Sequence, residues 1–494
     1  MGFLHANTFT AIEPIEVGDH ILLEDSGTHL LFNTTDSGLY RIEPITAKLF
    51  TLIQTHGIEA AKELIKKDDI DNVAEEKLFE LKENGFLDSP PEFTPPDALP
   101  ITGMSLNVSH DCNLNCRYCY GGGGTYVGEK CYMDKDIGEL AIDRLIEWST
   151  GKEEVYITFF GGEPLLNFKL IKHLIEYGQK KEDSEGKNIH FSMTSNCTLL
   201  TENIIDFLNE NHVSVLVSMD GPKSIQDVNR PFKNGKGSFD VVVSKVKKLL
   251  SSRKSNVTAR ATLTRDCLSL GTIIDGLRDV GFKYVHIEPV TADQNRLFAL
   301  VEEDFEKLKD EYKTVGKIFL DNILSGTPFG VSNILRTINM IYNSTVRVYP
   351  CGAGKNLVAI DPRGSIYLCH RFTGMEAFSL GTIYHPDFSL QKRILHTHVD
   401  SREECKTCWA RHLCGGSCWH ENYFYNGQID KPYKPRCNLF RYITALSMII
   451  YSRIHDKDKK LLNNMFEKNE PFYKKSEKLN QKKISKEEVT KWKE

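Results

Sequence analysis

The chain has 494 residues, of which 40% are hydrophobic and 26% are charged, and its formal net charge is -5. Such a length accommodates two or three domains with apolar cores. No apolar run approaches the roughly 18 residues of a membrane span, and no basic patch interleaves with aromatic residues as in nucleic-acid binders. The 13 cysteines without a secretory signal favour a reducing compartment. The composition therefore predicts a cytoplasmic protein that binds neither membrane nor nucleic acid.

The first part of the chain, residues 1–97, reads as a separate small module. Short β-like runs at 21–23, 30–32 and 38–42 are broken by turn residues. Helical patterns follow at 46–55, 58–66 and 73–83. A Pro-rich stretch at 89–96 then predicts a linker.

Strand and helix patterns alternate in the next segment, residues 98–300. Strands are predicted at 105–108, 155–160, 189–194, 213–219, 257–263 and 284–290. Helices are predicted at 137–149, 169–177, 201–211, 240–250 and 270–280. This alternation is typical of an α/β fold with a parallel sheet and right-handed crossovers. Polar candidates recur at strand C-terminal ends, where barrel-type sheets place their active sites.

The third segment, residues 301–456, begins with two bridging helices and continues into a cysteine-rich region. A turn sequence at 361–364 predicts a hairpin between strands 357–360 and 365–368. The remainder is expected to be irregular, apart from an amphipathic helix at 439–455. The Lys-rich tail, residues 457–494, is expected to be solvated.

Ten of the 13 cysteines fall into two spaced sets. The first set is Cys112, Cys116 and Cys119, and the second is Cys351, Cys369, Cys405, Cys408, Cys414, Cys418 and Cys437. Thiolates at these short gaps suit iron–sulfur clusters. Three thiolates leave one iron of a four-iron cluster open. A structural zinc site is the alternative, and a disulfide framework does not fit a chain of this kind.

The C-x3-C-x2-C run after the first strand of the α/β segment, together with Gly161-Gly162-Glu163-Pro164 after the second, resembles the radical S-adenosylmethionine (SAM) enzymes. The resemblance covers about residues 100–300 and implies a partial (β/α)6 TIM barrel. It implies that Cys112, Cys116 and Cys119 hold a [4Fe-4S] cluster whose open iron binds SAM. The implied SAM contacts are Tyr118, Gly161, Gly162, Glu163, Ser195, Asn196, Ser218 and Arg260. In this reading Glu163 accepts from the ammonium, Arg260 pairs with the carboxylate and Tyr118 packs near the adenine.

The spacing of the second cysteine set resembles the accessory SPASM domain. The resemblance implies that Cys405, Cys408, Cys414 and Cys437 hold a fully ligated cluster. It assigns Cys351, Cys369 and Cys418 to another cluster that lacks one ligand, so that the chain would carry three [4Fe-4S] clusters. The open position is filled either by a substrate thiolate, or by Cys131, Cys197, Cys267 or water.

The N-terminal module resembles the winged-helix-like recognition element of enzymes that mature ribosomally made peptides. Such modules bind a leader peptide as an added strand, here expected between residues 38–42 and the helix at 73–83. A DNA-binding winged helix is the alternative, although these helices lack a basic face. The expected partners are a Cys-containing precursor peptide and a reductant such as flavodoxin or ferredoxin.

The segments 369–376 and 408–422 resemble thioether-forming peptide maturases of the sactipeptide and ranthipeptide types. The predicted activity is therefore the joining of a Cys sulfur to a carbon of another residue in the peptide. Formylglycine-forming sulfatase maturases carry an Asp where this chain has His370, and a carbon–carbon crosslink is a further alternative. His370 is the candidate general base or simply satisfies a core hydrogen bond. A non-enzymatic iron–sulfur scaffold or leader-peptide carrier also stands as an alternative.

Overall fold

The structure is a computed structural model that describes residues 9, 12, 14–17, 20–66, 71–83, 85–87, 92–126, 128–253, 255–327 and 329–466. Two β-sheets form within these residues, one of four strands and one of ten. None of the helices in this described part of the chain has the length and hydropathy needed to cross a membrane.

The N-terminal sheet is an antiparallel meander in the order β1-β2-β3-β4. Its strands are β1 (Ile15–Val17), β2 (His20–Asp25), β3 (Thr28–Asn33) and β4 (Gly38–Ile42). The helices that follow are α1 (Pro44–His56), α2 (Ile58–Lys66) and α3 (Asp71–Glu83). The predicted strands and helices of this region are confirmed, and β1 is an additional strand.

This sheet is buried on both faces. Successive side chains of a strand point to opposite sides, so the two faces separate by residue parity. Leu22 and Leu31 pack into a small core with α1 and α3. The alternate positions join the main core of the protein: Ile21, Leu23, Leu30 and Phe32. The sheet therefore lies between its own helices and the rest of the chain.

Polar contacts also attach the N-terminal sheet to the C-terminal region. The Thr34 hydroxyl donates to the Trp409 carbonyl at 2.9 Å, and the Thr34 carbonyl accepts from His412 Nδ1 at 2.8 Å. Arg453 donates to both carboxylate oxygens of Asp25, at 2.7 and 2.6 Å. The module is thus held against the second cysteine region and the last helix.

The large sheet contains six parallel strands that lie side by side in chain order. They are β5 (Gly103–Ser109), β6 (Glu154–Gly161), β7 (Asn188–Ser195), β8 (Ser214–Ser218), β9 (Thr258–Leu263) and β10 (Tyr284–Pro289). The intervening helices are α4 (Lys135–Trp148), α5 (Phe168–Glu185), α6 (Glu202–Glu210), α7 (Lys223–Asn229), α8 (Phe239–Ser252) and α9 (Leu270–Val280). Side chains of Asp134, Thr201 and Ser269 accept from backbone amides at the starts of α4, α6 and α9, which sets those boundaries. The predicted α/β fold with a parallel sheet is confirmed.

The sheet extends beyond this core on both edges. On one edge, α10 (Glu302–Leu324) precedes β11 (Gly330–Val331), which pairs with β10 in parallel and leads into α11 (Ser332–Tyr342). On the other edge, β12 (Leu357–Ile360) pairs in parallel with β5, and β13 (Ser365–Tyr367) and β14 (Ser379–Thr382) follow antiparallel. The predicted hairpin is confirmed, but the sequence did not indicate that it joins the main sheet next to the first cysteine strand.

Two expectations for the C-terminal region are wrong. The part expected to be irregular contains the short helices α12 (Ser389–His396), α13 (Arg411–Cys414) and α14 (Trp419–Asn426). The last helix, α15, spans Lys434–Phe466 with a break at Asp458, so it begins before and ends after the predicted 439–455. Its apolar face continues to the buried Leu462, which explains why the helix enters the predicted solvated tail. Residues 467–494 of that tail lie outside the described residues.

Candidate active site

The first cysteine set lies on the loop that follows β5, and the Gly-Gly turn after β6 packs against this loop. The Gly162 amide donates to the Ser109 carbonyl at 2.8 Å, and the Glu163 amide donates to the Asp111 carbonyl at 2.8 Å. A Cβ atom on Gly162 would lie 2.2 Å from the Asp111 carbonyl oxygen. Glycine is therefore required at position 162 by the approach of the cysteine loop itself, in addition to its implied role as a SAM contact.

The structure brings Cys112, Cys116 and Cys119 together. Burial raises the pKa of Cys112 to about 12, and the neighbouring Glu163, Cys116 and Cys119 raise it too. Burial also raises the pKa of Cys116 to about 11, although the nearby Arg230 lowers it. Three mutually interacting, partly buried thiols are the arrangement expected of ligands to one metal cluster.

Glu163, Ser195 and Asn196 form one buried network. The Glu163 carboxylate accepts from the Ser195 hydroxyl at 2.7 Å, the Asn196 amide at 2.8 Å and the Leu165 amide at 3.1 Å. Burial raises the pKa of Glu163 to about 7, although these three hydrogen bonds lower it. The Asn196 side-chain nitrogen lies 3.7 Å from the Cys112 sulfur. The carboxylate thus joins the ends of β6 and β7 beneath the cysteine loop, and its oxygens bond to protein donors.

Ser218, the last residue of β8, is a direct neighbour of Arg260, which lies within β9. Ser218 pairs with Arg260 across β8 and β9, and Arg260 pairs with His286 across β9 and β10. Burial lowers the pKa of Arg260, whereas Glu288 raises it and Arg371 lowers it further. A partly buried guanidinium next to a second cation is a suitable partner for a ligand carboxylate.

Asp220 anchors a cluster that sequence analysis missed. The Tyr118 hydroxyl donates to its carboxylate, as do Asn229 Nδ2 at 3.1 Å and the Thr262 amide at 2.9 Å. Arg230 Nη2 lies 3.0 Å from Asp220 Oδ1, and the Asp220 side chain is 0% exposed. Its position directly after β8, like that of the other site residues after their strands, is the signal that would have identified it.

The second cysteine set separates into two groups. Desolvation of its thiol raises the pKa of Cys351 to about 11, although the residue as a whole is exposed, and Cys418 raises it further. Burial raises the pKa of Cys369 to about 12, and the neighbouring Cys351 and Cys418 also raise it. These three thiols therefore face one another.

The other four thiols form a group of their own. Burial raises the pKa of Cys405 to about 11, and Cys414 and Cys408 raise it while Arg402 lowers it. The pKa of Cys437 is raised by burial and then by Cys414, Cys405 and Cys408. The division into three and four is the one that the SPASM resemblance implies, and the role of these cysteines as ligands stays a prediction.

Over the described residues, no three His, Cys, Asp or Glu side chains converge as they would around a single metal ion. Cluster ligands need not converge in this way, because each thiolate of a four-iron cluster binds a different iron.

The three remaining cysteines lie in other surroundings. Burial raises the pKa of each, and the charged group with the largest further effect is Arg363 for Cys131, Glu163 for Cys197 and Glu311 for Cys267. None of these neighbours belongs to the group of Cys351, Cys369 and Cys418.

His370 lies at the C-terminal end of the parallel strands, which we call the mouth of the sheet. It stands between the first cysteine loop and the C-terminal region. Its ring centroid is 4.4 Å from that of Phe160 and 6.2 Å from that of Tyr120. His420 approaches the same Tyr120 at 6.4 Å. Burial and neighbouring cations, Arg371 first among them, lower the pKa of His370 to about 3. Its imidazole is therefore neutral at neutral pH.

The residues present fit iron–sulfur clusters. Arg230 Nε and Arg371 Nε are buried and have no hydrogen-bond partner among the described residues. Arg371 Nη1 is 4.0 Å from the Cys418 sulfur, and Arg441 Nη1 is 3.8 Å from the Cys408 sulfur. Because metal binding deprotonates thiols, each cysteine group becomes an anionic centre when loaded, which these cations complement.

Comparisons with known proteins agree with this geometry. Residues 106–266 match the Radical SAM superfamily. An uncharacterised protein of Methanocaldococcus jannaschii is 38% identical over 141 residues, which are 28% of this chain and 46% of that protein, so the match spans less than half of it. A cysteine-type anaerobic sulfatase-maturating enzyme of Clostridium perfringens (strain 13) is 25% identical over 343 residues, covering 65% of this chain and 89% of that enzyme.

A solved structure described as native anSMEcpe with bound AdoMet and Cp18Cys peptide superposes with a TM-score of 0.61. It is 20% identical and covers 74% of this chain and 100% of that chain, which shows a shared fold. The match of residues 106–266 to this superfamily implies a [4Fe-4S] cluster and SAM for that domain. The chain therefore carries a Radical SAM superfamily domain, and it is homologous to anaerobic sulfatase-maturating enzymes.

Proposed function

We propose that this protein is a radical SAM enzyme that installs thioether crosslinks in a ribosomally made, Cys-containing precursor peptide. The observation that carries the proposal is the incomplete group of Cys351, Cys369 and Cys418 beside the mouth of the sheet. Arg371 connects this group to the first cysteine loop, since it lies next to Cys418 and above the ring of Tyr120. A substrate Cys held there would be close to the SAM-binding end of the sheet.

In this proposal the residues of the chain bind and orient the reactants. Cys112, Cys116 and Cys119 would hold the cluster that, with SAM, supplies a 5′-deoxyadenosyl radical. Arg260 and Ser218 would orient the methionine moiety, and the Asp220 cluster would fix Tyr118 near the adenine. The other two cysteine groups would hold auxiliary clusters that accept the electron released by the peptide.

The overall change in the peptide is a two-electron oxidation. A C–H hydrogen atom leaves with 5′-deoxyadenosine, the Cys thiol loses its proton, and the new C–S bond releases one electron. A flavodoxin or ferredoxin would supply the electron that initiates each turnover.

The N-terminal module is proposed to bind the leader of this peptide. β4 is an edge strand of its sheet, so its outer backbone groups are available for pairing with an added strand. Tyr40 on β4 and Phe79 on α3 are large exposed side chains, at 38% and 64%, that could contact a leader. All 13 cysteines are free, which suits a reducing cytoplasm.

Formylglycine formation is the second candidate, because the C. perfringens enzyme aligns over 89% of its length. Against it, the position that carries an Asp in such maturases holds His370. That ring is neutral at neutral pH and lies in a tilted contact with Phe160, so it is a weak base.

One experiment separates these candidates. The reconstituted enzyme is reduced anaerobically with dithionite and incubated with SAM and the Cys peptide encoded beside its gene. The mass of the product peptide is then measured by mass spectrometry. Loss of two hydrogens with the sulfur retained supports the thioether, whereas loss of the sulfur supports formylglycine. A failure to release 5′-deoxyadenosine would favour the non-enzymatic scaffold. Iron analysis should give about twelve atoms per chain if all three cysteine groups hold four-iron clusters.

A further inference from the structure

Each of the three cysteine groups has at least one guanidinium near a thiol, and Arg402 and Arg347 act in addition on Cys405 and Cys351. Arg230 is the strongest favourable charge acting on Cys116, Arg371 contacts Cys418, and Arg441 contacts Cys408. These arginines come from different parts of the chain: the loop after α7, the turn after β13 and helix α15.

Arg371 differs from the other two because it lies between two cysteine groups. Its Nη1 is 4.0 Å from the Cys418 sulfur, and its guanidinium carbon is 5.3 Å from the ring centroid of Tyr120, the residue after Cys119. Its Nε is buried without a hydrogen-bond partner among the described residues. By contrast, Arg441 has a side-chain partner, since its Nη2 donates to Asn438 Oδ1 at 2.6 Å. Arg371 is therefore placed to act electrostatically on the group of Cys351, Cys369 and Cys418 rather than to stabilise the fold.

The effect of such a cation on a cluster has a definite sign. Reduction adds one negative charge to the cluster, and a nearby fixed cation stabilises that charge more strongly in a buried, weakly screened environment. Cluster potentials respond to net charge and to hydrogen bonds to the sulfurs.

We infer that Arg371 is a positioning residue that raises the reduction potential of the cluster held by Cys351, Cys369 and Cys418, making that cluster the first acceptor of the electron from the substrate. This inference rests on the proposed function, in which these three cysteines hold a cluster. The cluster gains one electron and the substrate loses it when the new bond forms.

The test measures the midpoint potential of each cluster in the full-length, iron-loaded protein, by EPR at controlled potentials. Arg371→Gln removes the charge while keeping an amide donor, and it should shift one cluster to a lower potential and leave the other two unchanged. Arg371→Lys keeps the charge and should retain the wild-type value. Arg441→Gln is the matched control, and it should shift a different cluster.

Unchanged potentials in Arg371→Gln would overturn the inference. If Arg371→Gln loses iron, the measurement on Arg371→Lys decides. A lowered potential of the same cluster in Arg371→Lys would then overturn the role of the charge. The proposed function fails separately, if the wild-type protein binds only about eight iron atoms and Cys418→Ala removes none of them.

Discussion

Replacing Asp220 by Asn should destabilise the protein and loosen the first cysteine loop. The Asp220 side chain is 0% exposed and its partner Arg230 is 10% exposed, so the ion pair is buried. Asn keeps one oxygen for the Thr262 amide, but its amide group then faces the Asn229 side-chain nitrogen, a donor opposite a donor. Arg230 loses its compensating charge.

Removing one partner of a buried ion pair costs about 3–5 kcal/mol. Because Asn still offers one acceptor, we expect a loss of about 3 kcal/mol in the free energy of unfolding. The matched control is Asp240→Asn, which breaks a pair with Lys223 whose side chains are 77% and 56% exposed. That change should cost less than about 1 kcal/mol.

Both variants would be compared with wild type by urea unfolding under anaerobic conditions, followed by far-UV circular dichroism. SAM binding is measured in parallel, and Asp220→Asn should weaken it because the Tyr118 hydroxyl loses an ionic acceptor. If Asp220→Asn unfolds at the same urea concentration as Asp240→Asn, the buried cluster does not support the site as argued.

Two further predictions concern backbone packing and the docking of the N-terminal module. Gly162→Ala would place a Cβ atom 2.2 Å from the Asp111 carbonyl oxygen, whereas at Gly271 the nearest atom is 3.9 Å away. Gly162→Ala should therefore cost about 1–3 kcal/mol and lose the iron of the first cluster, while Gly271→Ala retains full iron content in the same assay. Arg453→Gln leaves the buried Asp25 carboxylate unpaired, so amide hydrogens of β2 should exchange faster than in wild type. Exchange rates in β2 equal to wild type would show that this pair does not hold the module.

Much of the α/β core could be predicted from local signals. The alternation of apolar runs and helical patterns identified six parallel strands, because each element carries its own periodicity. The spacing of Cys112, Cys116 and Cys119 and the following Gly-Gly-Glu turn identified the superfamily from a few residues close in sequence. The helix at 434–466 was underestimated because the apolar residues of its last turns, Leu461, Leu462, Met465 and Phe466, are few and lie among Lys, Asp and Asn residues.

Relations between distant segments were decided only by the tertiary structure. The pairing of β12 with β5 brings residues 357–360 beside residues 103–106, and no local pattern specifies that partner. Asp220 follows β8 in the sequence, but its role as an anchor depends on the convergence of Tyr118, Asn229, Arg230 and Thr262 on its carboxylate. The position of Arg371 between two cysteine groups likewise depends on how the C-terminal region packs on the sheet. Residue type and spacing determine the chemistry a segment offers, but burial and charge pairing depend on neighbours that only folding brings together.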